Sequence, residues 1–239
     1  MSHKYCYGPI HSRRLGRSLG VDVIPYKTCS LDCVYCECGA TNSLTLERKE
    51  YFPTGEIIAS LENILKNQPD LDYITFAGSG EPTLHSGLGE IISFLKENYP
   101  QYKVAVLTNA TLLNDPSVIE DVQKADLIIP SLDAVSREAF EKINRPAPNI
   151  TPETIISGIK NLKNNFPGEI WLEIFIIPEI NDHENELTLF KETINKLGIK
   201  KIQLNTLDRP GAVNWIKPMS KEAKEEIAAR LGNVEIVNR

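Results

Sequence analysis

The chain has 239 residues, of which 41% are hydrophobic, and a formal net charge of -6. This length is enough for one domain with its own core, and the negative charge excludes a general electrostatic attraction to nucleic acid. No apolar run approaches the roughly 20 residues of a membrane span, and the first residues lack the apolar stretch of a signal peptide. We therefore expect a cytoplasmic protein without a membrane partner.

The first segment is a basic arm, which we place at residues 1–17. It contains Lys4, Arg13, Arg14 and Arg17 and no acidic residue. Such a cluster is able to hold a phosphate, a carboxylate or an RNA backbone, and it is equally consistent with a solvated terminal arm. The sequence leaves these alternatives open.

Three cysteines, Cys29, Cys33 and Cys36, follow the first predicted strand within eight residues. Thiolates at this spacing lie on one short loop and converge on one soft metal centre, as an iron–sulfur cluster requires. Three cysteines leave one iron of a four-iron cluster without a protein ligand. That iron would be open to a small molecule.

Other uses of these cysteines remain possible. A structural zinc site needs a fourth ligand, such as Cys38 or a histidine, and it usually has a second ligand pair further along the chain. No cysteine follows Cys38, and the total of five is an odd number for a disulfide framework. Unligated thiols are a third alternative, and the sequence assigns no role to Cys6 or Cys38.

From residue 54 onward, short β-branched runs alternate with amphipathic helical stretches, which is typical of a parallel sheet with crossover helices. Six strands are too few to close an eight-stranded barrel. We therefore predict an α/β fold, a partial, open (β/α)6 TIM-like barrel. Its core spans about residues 18–210 of a single domain, and residues 211–239 form a C-terminal helical extension. The predicted strands are 19–24, 73–77, 104–107, 127–129, 170–177 and 202–204.

The helix boundaries carry recognisable capping residues. Thr54 precedes the first apolar stripe, and Asp115 and Thr151 each precede a proline at a first helical position. Gly198 follows a later stripe, as expected at a helix C-terminus. The last helix is predicted to begin at Ser220.

Polar residues and glycines come directly after three of the predicted strands. In a barrel of parallel strands, chemistry collects at the carboxyl ends, so these residues are candidates for a ligand site. The dinucleotide-binding fingerprint Gly-x-Gly-x-x-Gly is a poor fit, because it would require glycine at position 83, where this chain has threonine. The candidates are Gly78, Ser79, Gly80 and Glu81 after the second strand, Thr108 and Asn109 after the third, and Ser131 after the fourth.

The cysteine spacing, with Tyr35 directly before the last cysteine, resembles the signature of the radical S-adenosylmethionine (radical SAM) enzymes. The segment at 78–82, Gly-Ser-Gly-Glu-Pro, resembles the GGEP segment of that family, with Ser79 in place of one glycine. Thr108-Asn109 and the Ser-Leu-Asp run at 131–133 resemble two further family segments. The resemblance spans roughly residues 18–210, and the cysteines are its specific part.

The resemblance implies a 4Fe-4S cluster held by Cys29, Cys33 and Cys36, with SAM chelating the open iron. Reductive cleavage of SAM would give a 5′-deoxyadenosyl radical that abstracts hydrogen from a substrate, and no catalytic residue is identified. Glu81 often has a structural role in the family. The residues that the resemblance places at the SAM site are Tyr35, Gly78, Ser79, Gly80, Glu81, Thr108, Asn109 and Ser131.

Among radical SAM enzymes, the chain resembles compact members with one cluster, of the wybutosine-enzyme and molybdenum-cofactor-cyclase type. No cysteine is left for a second cluster, so we expect electrons from an external donor such as flavodoxin or ferredoxin. We favour a small-molecule substrate. A tRNA-modifying enzyme, an enzyme that activates a glycyl-radical partner protein, and a non-enzymatic, zinc-stabilised binding module are the alternatives.

Overall fold

The computed structural model describes residues 4–232 and 234–237. Its largest element is an eight-stranded sheet, and a two-stranded sheet lies in the loop that carries the cysteines. The strands are β1 (Cys6–Ser12), β2 (Gly16–Val21), β3 (Thr28–Cys29), β4 (Ser43–Leu44), β5 (Tyr73–Phe76), β6 (Lys103–Thr108), β7 (Leu127–Pro130), β8 (Glu169–Ile176), β9 (Lys201–Thr206) and β10 (Val234–Ile236).

The strand order in the large sheet is β1-β2-β5-β6-β7-β8-β9-β10. β1 pairs antiparallel with β2, and every other neighbouring pair is parallel. The two end strands do not pair with each other, so the barrel is open, as the sequence predicted. The six predicted strands correspond to β2 and β5 to β9. β1 and β10 extend the sheet at its two edges, within the segments interpreted as an arm and a helical extension.

Seven α-helices occur among the described residues, and none of them has the length and apolar character that crossing a membrane requires. A 3₁₀ turn at Pro82–Leu84 follows β5. The helices are α1 (Thr54–Leu65), α2 (Leu88–Asn98), α3 (Pro116–Val122), α4 (Arg137–Asn144), α5 (Pro152–Asn165), α6 (Glu184–Leu197) and α7 (Lys221–Leu231).

Three of the four predicted helix caps are confirmed, and the last helix, predicted to begin at Ser220, begins at Lys221 with Ser220 as its cap. The side chains of Asp115, Thr151 and Ser220 accept a hydrogen bond from the first turn of α3, α5 and α7. Gly198 ends α6 in a left-handed conformation with φ 63°. The prediction for Thr54 is wrong, because α1 begins with Thr54 itself, whose backbone N–H is held by the Glu50 carboxylate at 2.7 Å.

The sheet separates two apolar cores. On β6, Val104 and Val106 belong to the large core that the helices cover. Ala105 points the other way and packs with Ile129 and Trp171 in a smaller cluster inside the barrel. This alternation follows from the two-residue period of a strand. Because these apolar residues pack on the two faces of the sheet, the carboxyl ends of the strands are available for a site.

The first parallel strand is shorter than predicted. β2 ends at Val21, whereas the predicted strand runs to Ile24. Asp22 turns the chain out of the sheet, because its carboxylate accepts hydrogen bonds from the backbone of Ile24 at 3.3 Å and of Ser79 at 2.9 Å. The chain then enters the cysteine loop across the carboxyl ends of the strands.

Candidate active site

The cysteine loop is anchored by buried apolar side chains. Leu31 and Val34 are 3% and 0% exposed, and the backbone N–H of Val34 donates to the carbonyl of Ile143 at the end of α4. Cys29 lies in β3, and all three cysteines of the motif remain partly exposed as free thiols. The anchors therefore fix the loop while its three cysteine residues stay only partly buried.

Each sulfur of the motif accepts a hydrogen bond from a different side chain. The donor to Cys29 is Nδ2 of Asn109 at 3.4 Å, and the donor to Cys33 is Nδ2 of Asn144 at 3.3 Å. Lys27 Nζ lies 3.1 Å from the sulfur of Cys36. Hydrogen bonds and positive charge next to thiolate ligands stabilise their negative charge and influence the potential of an iron–sulfur cluster. This donor set fits such a group.

The three thiols have different acidities in the metal-free chain. Burial raises the pKa of Cys29 to about 11, and it also raises the pKa of Cys33. A hydrogen bond with the Cys38 thiol, together with the Lys27 ammonium, lowers the pKa of Cys36 to about 5. Because metals bind thiolates, loading of the site must release the protons of Cys29 and Cys33.

The geometry does not favour a single metal ion. Within the described part of the chain, no group of three or more histidine, cysteine, aspartate or glutamate side chains is close enough to hold one ion. Zinc would need its thiolates at about 2.3 Å from a common centre. Among its described residues, the metal-free chain therefore shows no preformed site for one zinc ion.

Tyr35 connects the cysteine loop to the barrel. Its ring stacks on Phe175 of β8, with 3.8 Å between the centroids, and its hydroxyl donates to Oδ2 of Asp133 at 2.6 Å. Asn144 donates to the same oxygen at 2.7 Å. Burial raises the pKa of Asp133. Tyr35 is therefore fixed beside the cysteines by the stacking of its ring on Phe175 and by the hydrogen bond of its hydroxyl to Asp133.

The segment after β5 is held against the cysteine loop. The backbone and hydroxyl of Ser79 donate to Asp22 Oδ2 at 2.9 and 2.7 Å, so the residue that replaces a family glycine has a defined partner. A Cβ at Gly80 would lie 2.0 Å from the carbonyl oxygen of Thr28, which requires glycine there. Gly78 is exposed at the mouth of the barrel.

The Glu81 carboxylate is buried and fully engaged. It accepts hydrogen bonds from the backbone and hydroxyl of Thr83 at 3.1 and 2.6 Å, from the hydroxyl of Thr108 at 2.7 Å and from the backbone of Asn109 at 2.7 Å. Burial raises its pKa. These contacts hold Glu81 and Thr108 to the loops that follow β5 and β6.

Asn109 and Ser131 follow β6 and β7. The Asn109 side chain bonds Ser30 and Thr111 in addition to Cys29, so its amide points toward the cysteine loop. The backbone N–H of Ser131 donates to the carbonyl of Thr108 at 2.9 Å. Ser131 is partly exposed at the strand ends.

A cavity of about 320 Å³ opens beside the cysteine loop. Its lining includes Tyr35, Cys36, Gly78, Phe175 and Arg14. A separate cavity of about 350 Å³ lies at the amino ends of β8 and β9, away from the cysteines. The first cavity combines aromatic and charged walls with one sulfur of the motif, which makes it the candidate substrate site.

The arginines predicted to form a basic cluster are paired with acids. Arg13 pairs with Asp208, and Arg14 pairs with Glu173 inside the barrel, where the two side chains are 14% and 11% exposed. An outer ion pair joins Arg17 to Asp70. The β1–β2 turn, which lies at the amino end of β2, is thus tied to β8 and to the segment after β9, with its positive charge neutralised.

The sequence pattern did not single out Lys27, Asn144 or Glu173 as contact residues of the site. Lys27 stands two residues before the first motif cysteine, a local signal that could have been used. Asn144 is 111 residues from Cys33, and only the packing of α4 against the cysteine loop brings them together.

Solved structures share the fold at low sequence identity. A radical SAM methyltransferase from Sphaerobacter thermophilus matches with a TM-score of 0.65 and 17% identity, over 92% of this chain and 65% of that one. SuiB of Streptococcus suis bound to S-adenosylmethionine matches with a TM-score of 0.65 and 14% identity, over 91% and 49%.

Sequence relatives match over most of the chain. It is 39% identical over 223 residues to a protein of Brachyspira hyodysenteriae named GTPase Obg, covering 93% of this chain and 33% of that protein. A UPF0026 protein of Methanocaldococcus jannaschii is 35% identical over 225 residues, with 93% and 70% covered. A probable GTP 3′,8-cyclase of Saccharolobus islandicus is 29% identical over 199 residues, with 83% and 60% covered. The chain thus spans one third of the Brachyspira protein.

The family comparison agrees with the cysteine motif and the open barrel. Residues 23–190, well over half of the chain, match the description "Radical SAM superfamily". This segment contains the three cysteines, the segment after β5 and the strand ends described above. The chain belongs to the radical SAM superfamily of enzymes.

Proposed function

We propose that Cys29, Cys33 and Cys36 hold a 4Fe-4S cluster whose fourth iron binds SAM, and that the chain cleaves SAM reductively to abstract hydrogen from a substrate. The observation that carries this proposal is the set of three motif sulfurs, each with its own side-chain donor, at the carboxyl ends of the strands. Family membership supports an iron–sulfur cluster and SAM as the cofactors.

We assign the SAM site to the residues around the cysteine loop and the neighbouring strand ends. Gly78 and Gly80 allow backbone to approach the ligand, and Ser79 is oriented by Asp22. Ser131 offers a hydroxyl at the end of β7. Glu81, Thr108 and Asn109 act through the loop geometry that their mutual hydrogen bonds fix, and Tyr35 supports the cluster side of the site.

When bound and reduced, the cluster supplies the electron that cleaves SAM to methionine and a 5′-deoxyadenosyl radical. The chain orients the reactants and limits solvent access. The stacked rings of Tyr35 and Phe175 form an apolar wall between the cysteine loop and β8. The Arg14–Glu173 pair ties the β1–β2 turn to β8, and both residues line the substrate cavity.

We propose a small molecule as the substrate, because the cavity beside Cys36 has the size of small-molecule sites, about 300 Å³ and larger. The Saccharolobus relative is named for a reaction on a nucleotide, which agrees with this choice. The electron comes from an external donor, flavodoxin or ferredoxin, since Cys6 and Cys38 are too few to ligate a second cluster. Cys6 is buried against Ser60.

A tRNA substrate is the weaker alternative. Its strongest support in the sequence was the cluster of Arg13, Arg14 and Arg17, and all three side chains now have acidic partners. Binding a phosphate backbone would require these pairs to open. A tRNA complex would also weaken steeply as salt is raised.

The proposed function is tested by anaerobic reconstitution with iron and sulfide, followed by addition of SAM and dithionite. We expect 5′-deoxyadenosine from the wild-type chain and none from C29A, C33A or C36A. The matched control is C38A, which removes a thiol from the same loop and should retain the cluster and the reaction. SAM cleavage by a variant lacking all three motif cysteines would refute the assignment.

A further inference from the structure

Lys27 is a buried cation next to the cysteine motif. The residue is 2% exposed, and its Nζ lies 3.1 Å from the sulfur of Cys36. Charged side chains are almost never fully buried without a partner of opposite charge. The burial of Lys27 therefore requires negative charge close to its ammonium group.

The negative charge is not supplied by a carboxylate. Within the described residues, no acidic side chain forms an ion pair with Lys27, and the side-chain partner of its ammonium is the sulfur of Cys36. Other partly buried cations of the chain differ in this respect. Arg14 pairs with Glu173.

The backbone holds Lys27 in this place. Its φ is 58°, a left-handed conformation that residues other than glycine adopt infrequently. The carbonyl oxygen of Lys27 accepts hydrogen bonds from the backbone of Asn42 and Ser43 at 2.9 and 3.0 Å. These contacts tie Lys27 to the far end of the cysteine loop and fix the backbone that carries its side chain.

We propose that Lys27 is the counter-charge of the cluster and sets its reduction potential from the Cys36 corner. This proposal rests on the proposed function, since it requires a cluster on the three cysteines. Three thiolates make the site negative, and reduction adds one further negative charge. A fixed ammonium 3.1 Å from one ligand sulfur stabilises the reduced form more than the oxidised form. Lys27 is thus a positioning residue that acts through the cluster.

The test is the midpoint potential of the reconstituted cluster without SAM, measured by a reductive titration followed by electron paramagnetic resonance. We expect K27Q, which keeps an N–H donor, to shift the potential to more negative values, and K27M, which removes charge and donor, to shift it further. The matched control is K96M, because Lys96 pairs with Asp126 away from the cysteines. K96M should leave the potential unchanged.

The outcomes separate the two proposals. A wild-type chain that holds no cluster contradicts the proposed function itself. A wild-type chain with a cluster whose potential is the same in K27Q and K27M overturns the role of Lys27 alone, and so does a shift in K27M without one in K27Q. K27M could fold but lose its iron. In that case, iron retention in K27R supports the role of Lys27 as counter-charge, and iron loss in K27R equal to that in K27M overturns it.

Discussion

Asn144, the last residue of α4, donates its side-chain amide to the sulfur of Cys33 at 3.3 Å across 111 residues of sequence. The same amide donates to Asp133 Oδ2 at 2.7 Å, and Asp133 in turn accepts the hydroxyl of Tyr35. One buried asparagine thus links a predicted cluster ligand, an acidic residue after β7 and the aromatic residue of the cysteine motif. This link explains how α4 fixes the cysteine loop.

Replacement of Asn144 by alanine should destabilise the metal-free chain. The residue is 1% exposed, and its removal leaves the buried Asp133 carboxylate with one hydrogen-bond donor fewer. We expect a loss of about 1–3 kcal/mol in the free energy of unfolding, measured by urea denaturation. The matched control is N98A, because the Asn98 amide makes only an exposed bond to the carbonyl of Phe94. Equal losses in the two variants would contradict the role of Asn144.

The Arg14–Glu173 pair should be strongly coupled. Both side chains are largely buried, so removal of one partner leaves an uncompensated charge and should cost about 3–5 kcal/mol of stability. We expect R14M and E173Q each to be destabilised, and the double variant to lose much less than the sum of the two. A double-mutant cycle by urea denaturation measures this coupling.

The exposed Arg17–Asp70 pair provides the comparison for that cycle. Its side chains are 48% and 85% exposed, so its coupling should be at most about 1 kcal/mol. A cycle for Arg14 and Glu173 that is as small as the one for Arg17 and Asp70 would show that the β1–β2 turn is not fastened by its buried pair.

The sequence was sufficient for the fold class and for the cysteine motif, because both depend on local patterns. Strand and helix periodicities are read within about ten residues, and the cysteines lie on one loop. The donors to the sulfurs could not be predicted in the same way. Asn144 reaches Cys33 only when α4 packs against the cysteine loop, and no periodicity encodes that contact.

Predictions at the ends of elements failed where a side chain competes for the backbone. The Asp22 carboxylate accepts a hydrogen bond from the backbone of Ile24, so Val23 and Ile24 lie outside the strand that was predicted to contain them. The Glu50 carboxylate accepts the backbone N–H of Thr54, which is the first residue of α1 and not its cap. The basic cluster was visible in the sequence, but its acidic partners, Glu173 in β8 and Asp208 after β9, lie far away along the chain. Charge counts along the chain do not show such pairing.

Removal of the Ser131 hydroxyl should weaken SAM binding while the cluster stays intact. In our assignment this hydroxyl contacts SAM, and one neutral hydrogen bond contributes about 0.5–1.5 kcal/mol, or about a two- to tenfold change in affinity. Isothermal titration of reconstituted S131A with SAM measures the change. The matched control is S117A, since Ser117 lies in the first turn of α3, away from the cysteine loop, where it bonds the cap residue Asp115. Unchanged affinity in S131A would remove Ser131 from the SAM site.

His85 should make the stability of the chain sensitive to mild acid. Its ring is fully buried, with Nε2 at 2.9 Å from the carbonyl of Phe52 and Nδ1 accepting from the backbone of Gly87 at 3.0 Å. Only the neutral ring makes both bonds, and burial lowers the His85 pKa. The folded chain therefore binds fewer protons than the unfolded chain below about pH 6.5, and stability falls as the pH decreases from there.

The measurement is the free energy of unfolding between about pH 7.5 and 5.5, where each pH unit below the ordinary histidine pKa costs up to about 1.4 kcal/mol. We expect the wild-type chain to lose more stability over this range than H85Q, which has no titrating ring. Other ionisable groups contribute equally to both proteins. Parallel pH profiles would show that His85 is not held neutral by its buried contacts.

The central claim is that the three motif cysteines hold a cluster with one iron open to SAM. Mössbauer spectroscopy of the reconstituted chain, before and after addition of SAM, tests it most directly. We expect four irons per chain, and one iron site whose signal changes when SAM is added while the other three keep theirs. Four irons that do not respond to SAM, or a single bound metal ion, would contradict the account.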